Sequence, residues 1–363
     1  MKDHLRSLNR ASERHLGREG FVGLDRNERI SPIPETQFRE MLASLKMDDL
    51  TAYPDAGPFV SRISKATKFP EDWIAETAGA DAGIRRLFMA YLRPGEGVVT
   101  LKPSYTMYEI YAGMFQGDLR RAECGNDRRC DVDTLLAAIQ PGVRLAVIAN
   151  PNQPTGTALE VGDVRRVVSR AAEIGAVCVI DEAYYPFCPT TVAPLLQEFD
   201  NLVVLRSFSK YPGCAGIRVG YALANPRIIQ ALMAVRGGSE VSGVSLALAC
   251  YLLDHREIAE DFRKAAEQGR RILDETALRL GLEPLACVTN FQLVRCPPDD
   301  NARAIADALK ARRYLVRADF SHPSLENCMR ISLNGPDVMT PFLAALEEAV
   351  LESRGATRRN SAR

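Results

Sequence analysis

The chain has 363 residues, 46% of them hydrophobic, and 46 Lys plus Arg balance 46 Asp plus Glu for a formal net charge of zero. That length exceeds what one small core holds and implies two lobes. The charge balance supplies no electrostatic reason for a nucleic acid or an anionic membrane as partner, and no stretch reaches the roughly 20 apolar residues of a membrane span.

The first twenty residues, MKDHLRSLNRASERHLGREG, are charged throughout and lack the apolar centre of a secretory signal. Nine cysteines are scattered without a C-x-x-C pair, which fits reduced thiols in a cytoplasmic protein rather than a disulfide frame. The four histidines match no metal-ligand spacing, so no metal is expected.

Further on, TAGADAGI (77–84) is a small-residue turn that opens a helix over 81–92, with Ile84, Leu87, Phe88, Tyr91 and Leu92 on one face. Short Val/Ile/Leu-rich runs follow at 97–101, 143–149, 176–180, 201–205 and 219–224. Between two of them, 161–175 carries Val164, Val167, Val168 and Ala171 at helical spacing and ends at Gly175. Continuous apolar strands alternating with amphipathic helices predict an α/β fold: a three-layer, mostly parallel sheet. Beyond about 240 the texture changes. A long helical pattern over 245–281 precedes strand-like 290–296, 313–319 and 328–334, with a helix over 302–313, as in a smaller α+β domain. The expected division is an N-terminal segment 1–45 joining the small domain, a large domain 46–240, the small domain 241–353 and a disordered basic tail 354–363.

In an open parallel sheet, ligands sit at the carboxyl ends of the strands. Three of these runs end in distinctive polar stretches: NPNQPTGT (150–157), DEAYYPF (181–187) and RSFSK (206–210). The first packs two X-Pro bonds, an Asn and a Gly into a rigid loop, with a cis peptide before Pro154 as one option. Asp181 ends a buried strand, where a carboxylate needs a cationic or hydrogen-bonding partner; capping the next turn is the plainer role. Alone, Lys210 reads as a surface lysine and Tyr184 as a core tyrosine. Ser207, Ser209 and Arg218 beside Lys210, with the helix start in TAGADAGI, supply the donors a phosphate needs. Together these parts describe a pyridoxal-phosphate site: Lys210 linked to the cofactor aldehyde, Asp181 against the ring nitrogen and Tyr184 against the phenolic oxygen.

The ordered set NPNQPTGT, DEAYYPF and SFSKYPGCAGIRVGY resembles the fold-type I pyridoxal-phosphate enzymes, and within them the class I/II aminotransferases of the histidinol-phosphate aminotransferase kind. The resemblance implies that Lys210 is the Schiff-base lysine, with Asp181 and Tyr184 in the roles above. It implies phosphate ligands in Ser207, Ser209, Arg218 and the backbone of Ala80 and Asp81, and a ring stacked on the cofactor from Tyr105. Tyr53 in TAYPD would reach the phosphate of a neighbouring subunit, hence a homodimer with shared active sites. Arg330 in CMRISL would grip the substrate carboxylate, and Asn27 would lie on the substrate side. The family carries Asn directly before Pro-Thr-Gly; here that position is Gln153, and either Gln153 or Asn152 can supply the amide. Where such enzymes read Asn-Glu-Asn-Pro-Tyr-Gly, this chain has RNERISPIP (26–34), with Arg29 new. Arg29, Arg236 and Arg317 are spare cations for an acidic or phosphorylated substrate, or members of ordinary salt bridges. The activity implied is transfer of an amino group between an amino acid, or an amino-alcohol phosphate, and a 2-oxo acid. The same scaffold also hosts decarboxylases, eliminating enzymes, cyclases and oxidases, because the bond that breaks depends on its angle to the cofactor ring.

Overall fold

The structure, a computed structural model, describes residues 3–6 and 17–361, with the backbone alone at 3 and 356–361. Residues 7–16 of the charged N-terminal stretch and the last two of the basic tail lie outside the described residues. Among the described residues the strands are β1 (Val22–Gly23), β2 (Ile74–Thr77), β3 (Gly97–Lys102), β4 (Asp118–Glu123), β5 (Val143–Ala149), β6 (Val177–Asp181), β7 (Leu202–Ser207), β8 (Gly220–Ala224), β9 (Glu283–Leu285), β10 (Phe291–Arg295), β11 (Tyr314–Leu315) and β12 (Cys328–Ser332).

Seven strands form one sheet in the order β2-β8-β7-β6-β5-β3-β4, parallel except that β8 runs antiparallel to both neighbours. Successive side chains of a strand point to opposite faces. Here Ala146, Ile148, Cys178, Ile180, Leu202 and Val204 enter one apolar cluster, while Leu145, Val147, Val177, Val179, Val203 and Leu205 enter the other. Both faces are therefore covered, which is why these strands read as unbroken apolar runs. The helix Val161–Glu173 buries Val164, Val167, Val168 and Ala171, the four residues its spacing singled out. Each valine contributes about 1.5–3 kcal/mol by leaving water.

The smaller part holds the antiparallel sheet β12-β10-β9 and the short parallel pair β1-β11. The strand expected over 313–319 reduces to β11 and a bridge between Arg317 and Arg330. The long helical pattern is two helices, Gly243–Asp254 and Arg256–Arg279, broken at His255 (φ −114°, ψ 64°). The last helix, Pro336–Ser361, continues through the polar residues read as a tail. Once nucleated upstream by an apolar face, a helix propagates through Ala and Arg at little cost.

One strap joins the two parts. Residues 22–31 leave β1 along the smaller part: Ser332 N donates to Leu24 O (2.8 Å), Asn27 N to Ser332 Oγ (2.8 Å) and Ser31 N to Asn334 Oδ1 (3.1 Å). The same strap crosses to the carboxyl ends of the large sheet.

Candidate active site

The carboxyl ends of β3, β5, β6 and β7 open into a cavity of about 890 Å³, closed on its other sides by residues 25–28, the segment 315–325 and Arg330. Sheet register sets its floor: Asp181 pairs with Ala149 on one side and Leu205 on the other, so its carboxylate lies at the centre. Asp181 is buried. Its Oδ2 accepts from Tyr108 Oη at 2.8 Å and its Oδ1 from Ala183 N at 3.0 Å. Burial pushes this carboxyl up to about 6, and the two hydrogen bonds hold it from going further.

Tyr184 is buried edge-on against Phe291, at 5.6 Å between ring centres. Its hydroxyl accepts from Asn27 Nδ2 at 2.8 Å. Burial pushes the phenol up to about 12, against the pull of Arg330 and the Asn27 hydrogen bond. Lys210 follows β7, and its Nζ donates to the carbonyls of Arg26 (3.0 Å) and Asn27 (3.2 Å). Burial first, then the positive charges of Arg330 and Arg218, lower the amine to about 8 in spite of Glu28. A lysine in that range exchanges protons near neutrality.

Arg330, on β12, lies with its guanidinium carbon 5.4 Å from the Phe291 ring centre and donates from Nη2 to Asp25 O at 2.6 Å. Burial lowers its pKa, and its Nε has no hydrogen-bond partner among the described residues. The buried Asn27 Oδ1 has none either. Two residues that line the cavity thus each carry a buried polar atom without a partner.

A corner of the cavity is built for an anion. The helix Gly79–Tyr91 starts there, presenting Ala80 and Asp81. Arg218, in the left-handed region (φ 52°), donates from Nη1 to Ser209 Oγ at 3.1 Å, and Ser209 N donates to Ser207 Oγ at 3.1 Å. At Gly79 (φ 77°, a region that favours glycine) a Cβ would lie 2.7 Å from Arg218 Nη2, so Arg218 would have to move to admit it. Tyr105 borders the same corner, edge-on to Tyr108 at 5.5 Å.

The loop NPNQPTGT contains two cis bonds, Asn150–Pro151 and Gln153–Pro154. It separates the two amides that the sequence left open. Asn152 is used up inside the loop: its Oδ1 accepts from Ser104 Oγ (2.7 Å), and its Nδ2 donates to Pro103 O (2.9 Å) and Thr155 Oγ1 (3.0 Å). Gln153 borders the cavity and Asn152 does not. Of the two roles open to Arg29, a substrate cation is not the one it takes. It donates to the carbonyls of Ser31, Pro32, Pro212 and Ile258 and stacks 4.8 Å from the Phe262 ring centre, away from the cavity. Arg236 pairs with Glu76 at 2.8 Å, also outside it. Arg317 does line the cavity, paired with Asp319 and bridged through its backbone to Arg330. Tyr53 is 93% exposed and lies outside its own chain's cavity. Tyr211–Pro212, unexplained in the sequence, is a cis bond. Tyr108 carries no signal in the sequence: it lies in the first turn of the helix Met107–Met114, while Tyr105 precedes that helix.

These residues fit pyridoxal phosphate. An amine of lowered pKa and a carboxyl of raised pKa line one cavity, together with an anion corner in which Arg218 closes on Gly79 and with unpaired donor and acceptor atoms. The profile of the family described as "Aminotransferase class I and II" matches residues 36–345, and the chain belongs to that family. It is a pyridoxal-phosphate-dependent aminotransferase of fold type I. In sequence it is similar to histidinol-phosphate aminotransferase 1 of Burkholderia lata, 35% identical over 340 residues that cover 91% of this chain and 93% of that protein. It is also similar to the histidinol-phosphate aminotransferase of Dehalococcoides mccartyi, 30% identical over 90% of both chains. Among solved structures, histidinol-phosphate aminotransferase from Sinorhizobium meliloti in complex with pyridoxal-5'-phosphate superposes with a TM-score of 0.86 at 26% identity, covering 97% of this chain and 98% of that one.

Proposed function

We propose that the enzyme moves an amino group between a 2-oxo acid and an amino acid or amino-alcohol phosphate, with Lys210 as proton carrier and Arg330 as anion anchor. The observation that carries this reading is the position of Lys210 Nζ, in one cavity with Asp181, Tyr184 and Arg330 and held by the carbonyls of the strap. Pyridoxal phosphate supplies an aldehyde for the amino group and a ring that withdraws electrons from the reacting carbon. The chain supplies the rest. The anion corner of Ser207, Ser209, Arg218 and the amides of Ala80 and Asp81 would hold the phosphate. Asp181 would hold the ring nitrogen with its carboxylate, Tyr184 and Gln153 would donate to the phenolic oxygen, and Tyr105 would lie against the ring. Lys210 Nζ takes a proton from the amino-bearing carbon and returns it.

Arg317 beside Arg330 adds a second cation, which favours donors with a phosphate or a second carboxylate, and histidinol phosphate, named for the relatives, is the first to test. Tyr53 serves a neighbouring subunit in a homodimer. Phe38, Leu42, Met47 and Leu50 support this as exposed apolar side chains clustered in sequence near it. Nine free cysteines favour the cytoplasm.

The deciding experiment incubates the loaded enzyme with histidinol phosphate or single amino acids plus a 2-oxo acid, and identifies products by mass spectrometry. The expected result is a matched pair, a new carbonyl compound and a new amino acid, absent in Lys210→Ala. Carbon dioxide release without a new amino acid would overturn the proposal.

A further inference from the structure

Away from the cavity, the loop between β4 and the helix Val132–Ala138 reads CGNDRRC, with Cys124 and Cys130 at its ends. Gly125 N donates to Arg129 O at 2.7 Å and Arg128 N to Gly125 O at 2.9 Å, closing a narrow hairpin. The two cysteines are the next facing pair. Facing residues just outside a hydrogen-bonded pair have Cα atoms about 4.5–5.5 Å apart, which is disulfide range. Cys124 is buried and Cys130 half-buried, and both border one cavity of about 100 Å³. Cys130 Sγ donates to Asp131 O at 3.4 Å, and the neighbouring Cys124 thiol holds Cys130 below the ordinary thiol range while Cys124 is pushed up. Two thiols facing each other across a hairpin, one of them partly exposed, is the arrangement that oxidises reversibly to a disulfide.

The hairpin has work to do in the fold. Arg128 is buried in the left-handed region (φ 72°). Its Nη1 donates to Thr155 O (2.7 Å) and Ala286 O (3.2 Å), and its carbonyl accepts from Thr157 Oγ1 (3.2 Å). Next to it, Val288 N donates to Gly156 O at 2.9 Å. Arg128 therefore clamps the loop that carries Gln153 to the smaller part of the molecule.

We propose that Cys124 and Cys130 form a peroxide-reactive dithiol site, and that its oxidation staples the hairpin holding Arg128 across this junction. The Cys130 sulfur attacks one peroxide oxygen; the O–O bond breaks, the sulfur keeps a hydroxyl as sulfenic acid, and the other oxygen leaves as hydroxide. The Cys124 sulfur then attacks Cys130 sulfur; the S–S bond forms, the S–O bond breaks, and the hydroxyl departs with the Cys124 proton as water. Two electrons pass from the thiols to the peroxide.

The test treats the loaded full-length enzyme with hydrogen peroxide, blocks remaining thiols by alkylation and digests it with trypsin without reductant. Cleavage after Arg128 and Arg129 separates the two cysteines unless a disulfide joins their peptides. The expected result is a linked Cys124–Cys130 pair, released by dithiothreitol and absent from Cys130→Ser. In Cys124→Ser, Cys130 is expected to be trapped as sulfenic acid by dimedone. Both cysteines remaining alkylatable while other thiols oxidise would overturn the proposal, as would conversion of Cys130 to sulfonic acid in the unsubstituted enzyme with no linked pair.

Discussion

The hydroxyl of Tyr108 donates to Oδ2 of Asp181 across 2.8 Å, in a part of the cavity floor where both residues are buried. Burial and the neighbouring carboxylate hold the phenol well above its ordinary value, so it remains a donor at every working pH. Its role is to keep Asp181 ionised. A hydrogen bond to a charged group contributes about 1.5–3 kcal/mol, or roughly one to two pH units. Tyr108→Phe removes it without changing the ring, so the carboxyl rises. The acid limb of kcat against pH is expected to move upward by about one to two units, with little change at alkaline pH. An unmoved acid limb would show that Tyr108 only fills space.

Lys210 gives a prediction in the cofactor-free protein. Its amine is lowered from 10.5 to about 8. The charged form is therefore disfavoured in the fold, fully below pH 8 and not at all above about 10.5, and the protein gains stability as pH rises through that window. At 1.36 kcal/mol per unit the penalty at pH 7 is on the order of 3 kcal/mol. Lys210→Met is expected to be inactive yet to melt higher than the parent at pH 7, with the gap closing toward pH 10.5. Acylation of Lys210, followed by peptide mass spectrometry, should show a midpoint near pH 8 that moves upward in Arg330→Ala. A lysine titrating with the surface lysines contradicts this.

The apolar strands were readable because each of β5, β6 and β7 feeds both clusters. Val147 and Ile148, adjacent in sequence, are buried on opposite sides. By the same logic β4 was not readable: DLRRAE lies on a sheet edge with only Ala122 buried, so it carries no apolar run. In the site, neither Asp181 nor Lys210 was distinctive by itself; the combination of polar stretches after β5, β6 and β7 made them candidates, and the structure brings both to one cavity. Distant members such as Arg330 and Asn27 came only through the family resemblance, and their individual contacts were not legible. Nothing in RNERISPIP announces that Asn27 reaches Tyr184 while Arg29, two residues on, turns to Phe262. The choice between Asn152 and Gln153 depended on Ser104 and Pro103, which only the folded loop brings near.

Asn27 joins both parts of the active site to one backbone position. Its Nδ2 donates to Tyr184, its carbonyl accepts from Lys210 and from Asn290 Nδ2 (2.9 Å), and its φ is 57°. Two substitutions separate these roles. Glycine adopts that backbone freely, whereas alanine pays about 1 kcal/mol for it. Both lose the bond to Tyr184, worth about 1 kcal/mol. Both variants are therefore expected to lose roughly five- to tenfold in kcat, but only Asn27→Ala should show a clearly lower Tm than Asn27→Gly. Full activity in Asn27→Gly would remove the side chain from the catalytic account.

Gly79 tests the anion corner. With φ at 77° and its Cβ position 2.7 Å from Arg218 Nη2, alanine must either strain the helix start or push Arg218 off Ser209. The second route costs the site its fixed cation, and a charge-assisted bond to phosphate is worth about 1.5–3 kcal/mol. The dissociation constant for pyridoxal phosphate is thus expected to rise about 10- to 100-fold in Gly79→Ala, while kcat at saturating cofactor changes little, because Lys210 and Asp181 are untouched. Gly216 is the control: it lies two residues from Arg218, has no atom within 4 Å of its Cβ position, and its alanine variant should bind cofactor like the parent. A loss of kcat at saturation in Gly79→Ala, with affinity preserved, would mean that this corner positions the reacting groups rather than holding the phosphate.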